Sequence, residues 1–212
     1  MLRRIAGLSA LIVAAAGPLR AQAYIYPALQ PSRIAEREYN FALVDMGGAG
    51  TGLIFQWREG LGNPKLQFTL DAGFADPDAA AADTRLVIGG GLHYQIASAD
   101  ADMPFDIVLG GGVGVTTGDN VTTIRVPFGA AIGHRFPLEG SVAITPFVHP
   151  RLSYDRVSFN GNSNSDTNLN VDIGANFEFK PQMAIRAAAA LGDDDAVAIS
   201  FAWTPRGLRG SK

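Results

Sequence analysis

The residues able to do chemistry are few. The 212-residue chain holds three histidines, His93, His134 and His149, and no cysteine. An imidazole beside a carboxylate or hydroxyl is the minimum for general acid–base work, and His93 and His149 can share a polar face with Asp71, Asp106 or Ser153. The simpler reading, an imidazole hydrogen-bonded to a neighbouring carboxylate, is preferred, so no catalytic residue is assigned. Without cysteine there is no thiolate metal site, thiol nucleophile or disulfide. Gly89-Gly90-Gly91 and Gly110-Gly111-Gly112-Val113-Gly114 invite a phosphate-loop reading. No Gly-Lys-Ser/Thr follows and no helix opens after them, so a nucleotide is not expected. Asn160-Gly161-Asn162-Ser163-Asn164-Ser165-Asp166 and Asp193-Asp194-Asp195 offer hard oxygen ligands without the spacing of a calcium loop. They read as solvated loops, and neither metal nor other cofactor is assigned.

Most of the remaining charge recurs at alternate positions within apolar segments, and that spacing identifies the elements. Over residues 65–74, Leu66, Phe68, Leu70, Ala72 and Phe74 fall on one face while Lys65, Gln67, Thr69, Asp71 and Gly73 fall on the other. Period two is the mark of a strand; a helix would scatter both sets around its axis. The pattern returns over 85–96 and 168–179, and more weakly over 39–46, 52–58, 105–115, 122–136, 142–154, 183–191 and 197–203. About ten strands result, or eight if the first hairpin, closed by Gly47-Gly48-Ala49-Gly50, lies outside the wall. Pro127, Pro146 and Pro150 each remove a ladder donor and are read as bulges or strand ends.

The N-terminus fits export. Arg3-Arg4 precedes an apolar stretch, residues 5–16, too short to span a bilayer, and Ala21-Gln22-Ala23 supplies the small residues of a cleavage site. Residues 1–23 are expected to be a signal peptide, 24–36 a mobile lead-in, 37–204 one domain and 205–212 a tail. The formal charge of -3 becomes -6 on cleavage, since Arg3, Arg4 and Arg20 leave with no acidic residue (-3 minus 3). An acidic exported chain is a poor nucleic-acid binder. No later stretch reaches the ~20 apolar residues of a membrane helix.

Alternation alone does not say which face points outward. The polar positions carry Lys65, Arg85, Arg125, Arg151 and Arg186 against Asp71, Asp106, Asp172 and Glu178, which suits an enclosed, paired lumen, with Arg85 expected to meet Asp71. On the apolar face Tyr39, Trp57, Phe74, Tyr94, Phe105, Phe136, Tyr154, Phe179 and Trp203 fall towards strand ends, where interfacial rings of a membrane barrel sit. An all-β, closed antiparallel transmembrane β-barrel is therefore expected. Short inner turns would include residues 137–140 and 180–182, and longer outer loops 75–83 and 155–166.

With its leader, alternating strands and aromatic-ended last strand, the chain resembles the small bacterial outer-membrane β-barrels of the OmpA/OmpX/OmpW type. That resemblance covers nearly the whole mature chain. It implies that Phe201 and Trp203 form the signal read by the barrel-assembly machinery, although here Thr204 to Lys212 follow them. It implies an outer-membrane location among lipids and lipopolysaccharide, as a monomer. A structural or surface-interaction role, at most a narrow pore, is expected. The alternative is a barrel enzyme acting on lipid or peptide at the outer rim with His93 or His149 as base. His149-Pro150-Arg151 lacks the His-x-Ser of barrel lipid A deacylases, and the omptin proteases use two acidic pairs on far longer loops.

Overall fold

Apolar and polar residues alternate over most of the chain, and each run becomes a strand. The computed structural model describes residues 27–78, 83–118 and 120–205. Ten long strands follow one another: β1 (Arg37–Asp45), β2 (Thr51–Gly60), β3 (Leu66–Asp76), β4 (Arg85–Ala97), β5 (Asp106–Gly118), β6 (Val121–Gly133), β8 (Ala143–Phe159), β9 (Asn162–Lys180), β10 (Met183–Gly192) and β11 (Ala196–Trp203). A two-residue strand, β7 (Phe136–Pro137), continues the line of β6. Each strand pairs antiparallel with its sequence neighbours, β6 pairs with β8, and β1 pairs with β11, so the sheet closes on itself. The wall is a ten-strand barrel. The segment expected to be a signal peptide, residues 1–23, and the tail from 206 onward lie outside the described residues.

Polarity is inverted relative to a soluble barrel. Leu43, Leu70, Phe74, Leu92, Leu169 and Ile199 lie on the exposed outer face, while Asp71, Arg125, Arg151, Asp172 and Arg186 are buried inside. Such a wall needs hydrocarbon around it. Outward residues fall into register: Ile199, Leu43, Leu53, Phe74 and Leu86 form one apolar row across five strands. One pleat further along, Asp45, Thr51 and Asp76 form the next row and end the apolar band. The interior is not wholly polar. Beneath the 3-10 turn Gly47–Ala49, the buried residues Ala42, Val44, Met46, Ile54, Ala188 and Ala198 make a small apolar core.

Four sequence expectations change. The lead-in is not mobile within its described part: Leu29, Ile34 and Ala35 are fully or almost fully buried, and residues 27–36 run inside the barrel. The reason is hydrogen bonding, described below. Residues 155–166 are not an outer loop but the end of a long hairpin, because β8 and β9 pair through to Phe159 and Asn162. Its turn is Asn160-Gly161, both at positive φ (47° and 83°), the tight form that suits strand twist. Outer connections are therefore not uniformly long: 119–120 and 160–161 hold two residues each, against eight in the connection 98–105 at the opposite end of the barrel. Finally, the prolines stand inside strands rather than at bulges. Pro127 lies where the β5–β6 ladder lapses, opposite Gly112, and Pro150 where the β6–β8 ladder lapses, while each pairs on its other side.

Candidate functional site

The inward side chains form charge clusters at successive heights. Nearest the end that carries both Arg37 and Trp203, called here the terminal end, Glu38 is fully buried between two guanidiniums. It accepts from Arg58 Nη1, and from Arg186 Nη1 and Nη2 at 2.9 and 2.6 Å. Arg186 also donates to Asn176 Oδ1 at 3.0 Å. On the opposite wall Asp106 lies 3.6 Å from Arg33 and accepts from the Ala99 amide at 2.9 Å. At mid-height Asp172, 0% exposed, accepts from Arg151 Nε at 3.0 Å and from the Ala28 amide at 3.0 Å, with His149 Nδ1 at 3.3 Å. Towards the far, loop end Arg125 joins Asp155, its register partner on β8, to Asp194 at 2.7 Å. Asn168 and Asn170 hold those two carboxylates at 2.6 and 3.0 Å.

The buried N-terminal segment is fastened by the same side chains. Arg58 and Arg186 each donate to the Leu29 carbonyl at 3.2 Å. Gln67 donates to Ala35 O at 2.9 Å. Gln95 accepts from Ile34 N at 3.0 Å and donates to Ser32 O at 3.3 Å. A segment without regular structure is thus satisfied by remote side chains, as a buried backbone must be.

Of the charges expected inside, Asp71, Asp106, Arg125, Arg151, Asp172 and Arg186 are buried, and Arg85 is nearly so. Lys65 is a correction: it is exposed in the turn before β3, whose first residue is Leu66. Arg85 and Asp71 do not meet either. Arg85 stands opposite Ala75 and Asp71 opposite Gly89, a displacement of about 13 Å along the strands. Glu178 is half-buried and takes Arg135 at 2.8 Å. Asp194, expected in a solvated loop, is buried against Arg125. Sequence reasoning passed over Glu38, Arg58, Asp155 and Arg33. Glu38 and Arg58 sit on the polar phase of the first hairpin: Arg58 ends the segment 52–58 already read as a strand, and alternation extended by one residue before Tyr39 would have included Glu38.

The expected aromatic residues all lie on the outer surface or its edge, unevenly by height. Tyr39, Trp57, Tyr94, Phe105, Phe136, Phe179 and Trp203 gather towards the terminal end; Phe74 and Tyr154 lie towards the other. Tyr39 packs on Trp203 at a centroid distance of 5.6 Å, and Trp57 meets Phe68 edge-on at 5.2 Å. Phe201 is exposed on the same wall and contacts Phe179 at 6.5 Å.

His93 hydrogen-bonds Thr69 Oγ1 at 3.2 Å, and with His149 it lines a cavity of about 40 Å³ together with Gln30, Arg58 and Asp71. That is room for about three waters. His149 is ten positions below the end of β8, deep in the lumen. His134 lies outside, at the Pro104 carbonyl and against Phe136. Among the described residues no three His, Cys, Asp or Glu side chains converge as metal ligands.

No protein-family model matches the chain, and no curated protein matches it. Solved structures similar to it include a KdgM porin, at TM-score 0.41 and 6% identity over 78% of this chain and 98% of that one. Another is the KdgM porin in complex with disordered oligogalacturonate, at 0.39 and 6% over 79% and 97%. A third is Ail, the attachment invasion locus protein of Yersinia pestis, at 0.28 and 14% over 82% and 99%. The closed wall, its apolar exterior and its paired interior charges make this chain a ten-strand antiparallel β-barrel of the membrane-spanning kind.

Proposed function

We propose that the protein is a non-enzymatic barrel of the outer membrane, closed at rest, with a structural or surface-interaction role. The observation that carries this reading is the filled lumen: ion clusters at several heights and the protein's own residues 27–36 occupy it. A ten-strand barrel has a narrow bore to begin with. The depth of His149, buried ten positions below the end of β8, argues against it as a base at the outer rim. Outer-membrane lipids and lipopolysaccharide are the partners of the apolar wall, and the polar β8–β9 hairpin is the part that would meet the exterior. Phe201 and Trp203, alternate outward residues of the last strand, suit recognition by the barrel-assembly machinery. The monomer is the expected state.

Cell fractionation with gel mobility before and after boiling tests the location: a folded outer-membrane barrel should migrate faster unboiled. Planar-bilayer recording tests the closed state. The intact protein should give no steady conductance, and a large, steady one would overturn the reading.

A further inference from the structure

Residues 27–36 occupy the barrel without belonging to its wall. β1 to β11 close through their own ladders, and the segment adds to them little beyond the Glu36 carbonyl that accepts from the Gly60 amide at 2.8 Å. The wall would therefore stay closed if the segment left. Its seat packs Leu29 and Ile34 against apolar wall residues, yet the lumen around it also holds polar atoms without a protein partner. Gln30 Oε1 and Ser32 Oγ on the segment, and Arg58 Nε, Thr116 Oγ1 and Ser153 Oγ on the wall, are buried with no protein hydrogen-bond partner. Buried polar atoms of this kind are satisfied by internal water.

These atoms are spread along the lumen beside a stretch of wall without side chains. Gly110 and Gly129 face each other across β5 and β6, and the imidazoles of His93 and His149 fill the space where their Cβ atoms would be. The cavity there is bounded on its other side by Ala28 and Gln30 of the segment itself. Removing the segment would join that cavity to the space it vacates at the terminal end. Above, the lumen is crossed by Arg125 with Asp155 and Asp194.

We propose that residues 27–36 are a removable plug and that the barrel behind it is a latent conduit for small ions. Carboxylates and guanidiniums both line the path, so ions of either sign are admitted. The proposal rests on the closed resting state given above, but fails separately from it. The plug is held by side-chain bonds from Gln67, Gln95, Arg58 and Arg186 to its backbone, by the Ala28 amide on Asp172, by Arg33 beside Asp106 and by the burial of Leu29 and Ile34; its polar bonds are exchangeable with water, and none is a ladder bond of the wall.

The test is planar-bilayer recording on refolded protein, with gel mobility before boiling as the check that each barrel is closed. Three proteins are compared: the intact chain, a chain lacking residues 27–35, and that deletion combined with Asp194→Ala to clear the far mouth. The double variant should show discrete current steps at least tenfold above any seen for the intact chain. The synthetic peptide PALQPSRIAE, added on the terminal side, should suppress them. A full-length Gln67→Ala/Gln95→Ala/Asp194→Ala variant, which loosens the seat without shortening the chain, should flicker between closed and conducting levels. If the folded double variant and the full-length triple variant both stay silent, or if steps appear that the peptide does not suppress, the plug assignment is overturned. A conducting intact chain would instead sink the closed resting state.

Discussion

Replacing Glu38 by Gln should be among the most damaging single changes available in the lumen. The carboxylate is 0% exposed and takes bonds from both Arg58 and Arg186, so the cluster carries two cations on one anion. Glu38→Gln leaves two guanidiniums facing an amide, and removing one partner of a buried pair costs about 3–5 kcal/mol. With a urea slope of about 2 kcal/mol/M, the unfolding midpoint in detergent should fall by about 1.5–2.5 M. Arg58→Met should cost less, because Glu38 and Arg186 then remain as a one-to-one pair with their bonds at 2.9 and 2.6 Å. The exposed Asp78→Asn is the reference and should shift the midpoint hardly at all. Equilibrium urea unfolding followed by tryptophan emission reads all three. A Glu38→Gln shift no larger than that of Asp78→Asn, or a larger one for Arg58→Met, would refute the idea that this carboxylate holds two cations in the lumen.

Leu70→Arg, on the outer wall at mid-strand, should cost about 2–4 kcal/mol in lipid refolding, whereas Lys65→Ala in the exposed turn should be silent. Asp194→Ala should destabilise by roughly 1.5–3 kcal/mol through the loss of its charged bond to Arg125, and by more than Arg85→Ala, since Arg85 forms no ion pair among the described residues; thermal unfolding in detergent decides the order. Phe201→Ala with Trp203→Ala should slow assembly in cells more than it lowers equilibrium stability, measured as the heat-modifiable fraction over time. Gly161→Val should disfavour the β8–β9 turn, where φ is +83°, and lower hydrogen-exchange protection in residues 156–166 while leaving β1 to β5 unchanged.

Alternation was legible wherever one face of a strand is dry and the other polar. Leu66 to Phe74 reads correctly because every second residue meets the outside, and Asp71 falls inside by the same phase. Pairing was less legible, because it depends on register. Arg85 and Asp71 share a face but stand four positions apart across β3 and β4. Where both faces are exposed there is no burial to imprint a period. Residues 160–167 are exposed throughout, so a strand read as a loop. The plug left no trace at all. Its burial is set by Gln67, Gln95 and Arg58, 29 to 63 residues away, and by no periodicity of its own.

The register of the outward rows sets how thick a bilayer the wall can accept. On β1 the apolar outward residues Tyr39, Phe41 and Leu43 are bracketed by Arg37 and Asp45, eight positions apart. That is about 26 Å along the strand, or about 20 Å of height at the tilt of such barrels. On β8 outward apolar residues run from Ile144 to Tyr154, ten positions or about 25 Å of height, against the four positions, about 10 Å, from Tyr39 to Leu43 on β1. Hydrophobic mismatch is therefore unequal around the circumference, and each ångström of it costs a fraction of a kcal/mol. Lipids along the β1–β11 seam are compressed relative to those along β8. The thin side is where short-chained lipids, or a neighbouring protein with an equally thin flank, will preferentially gather.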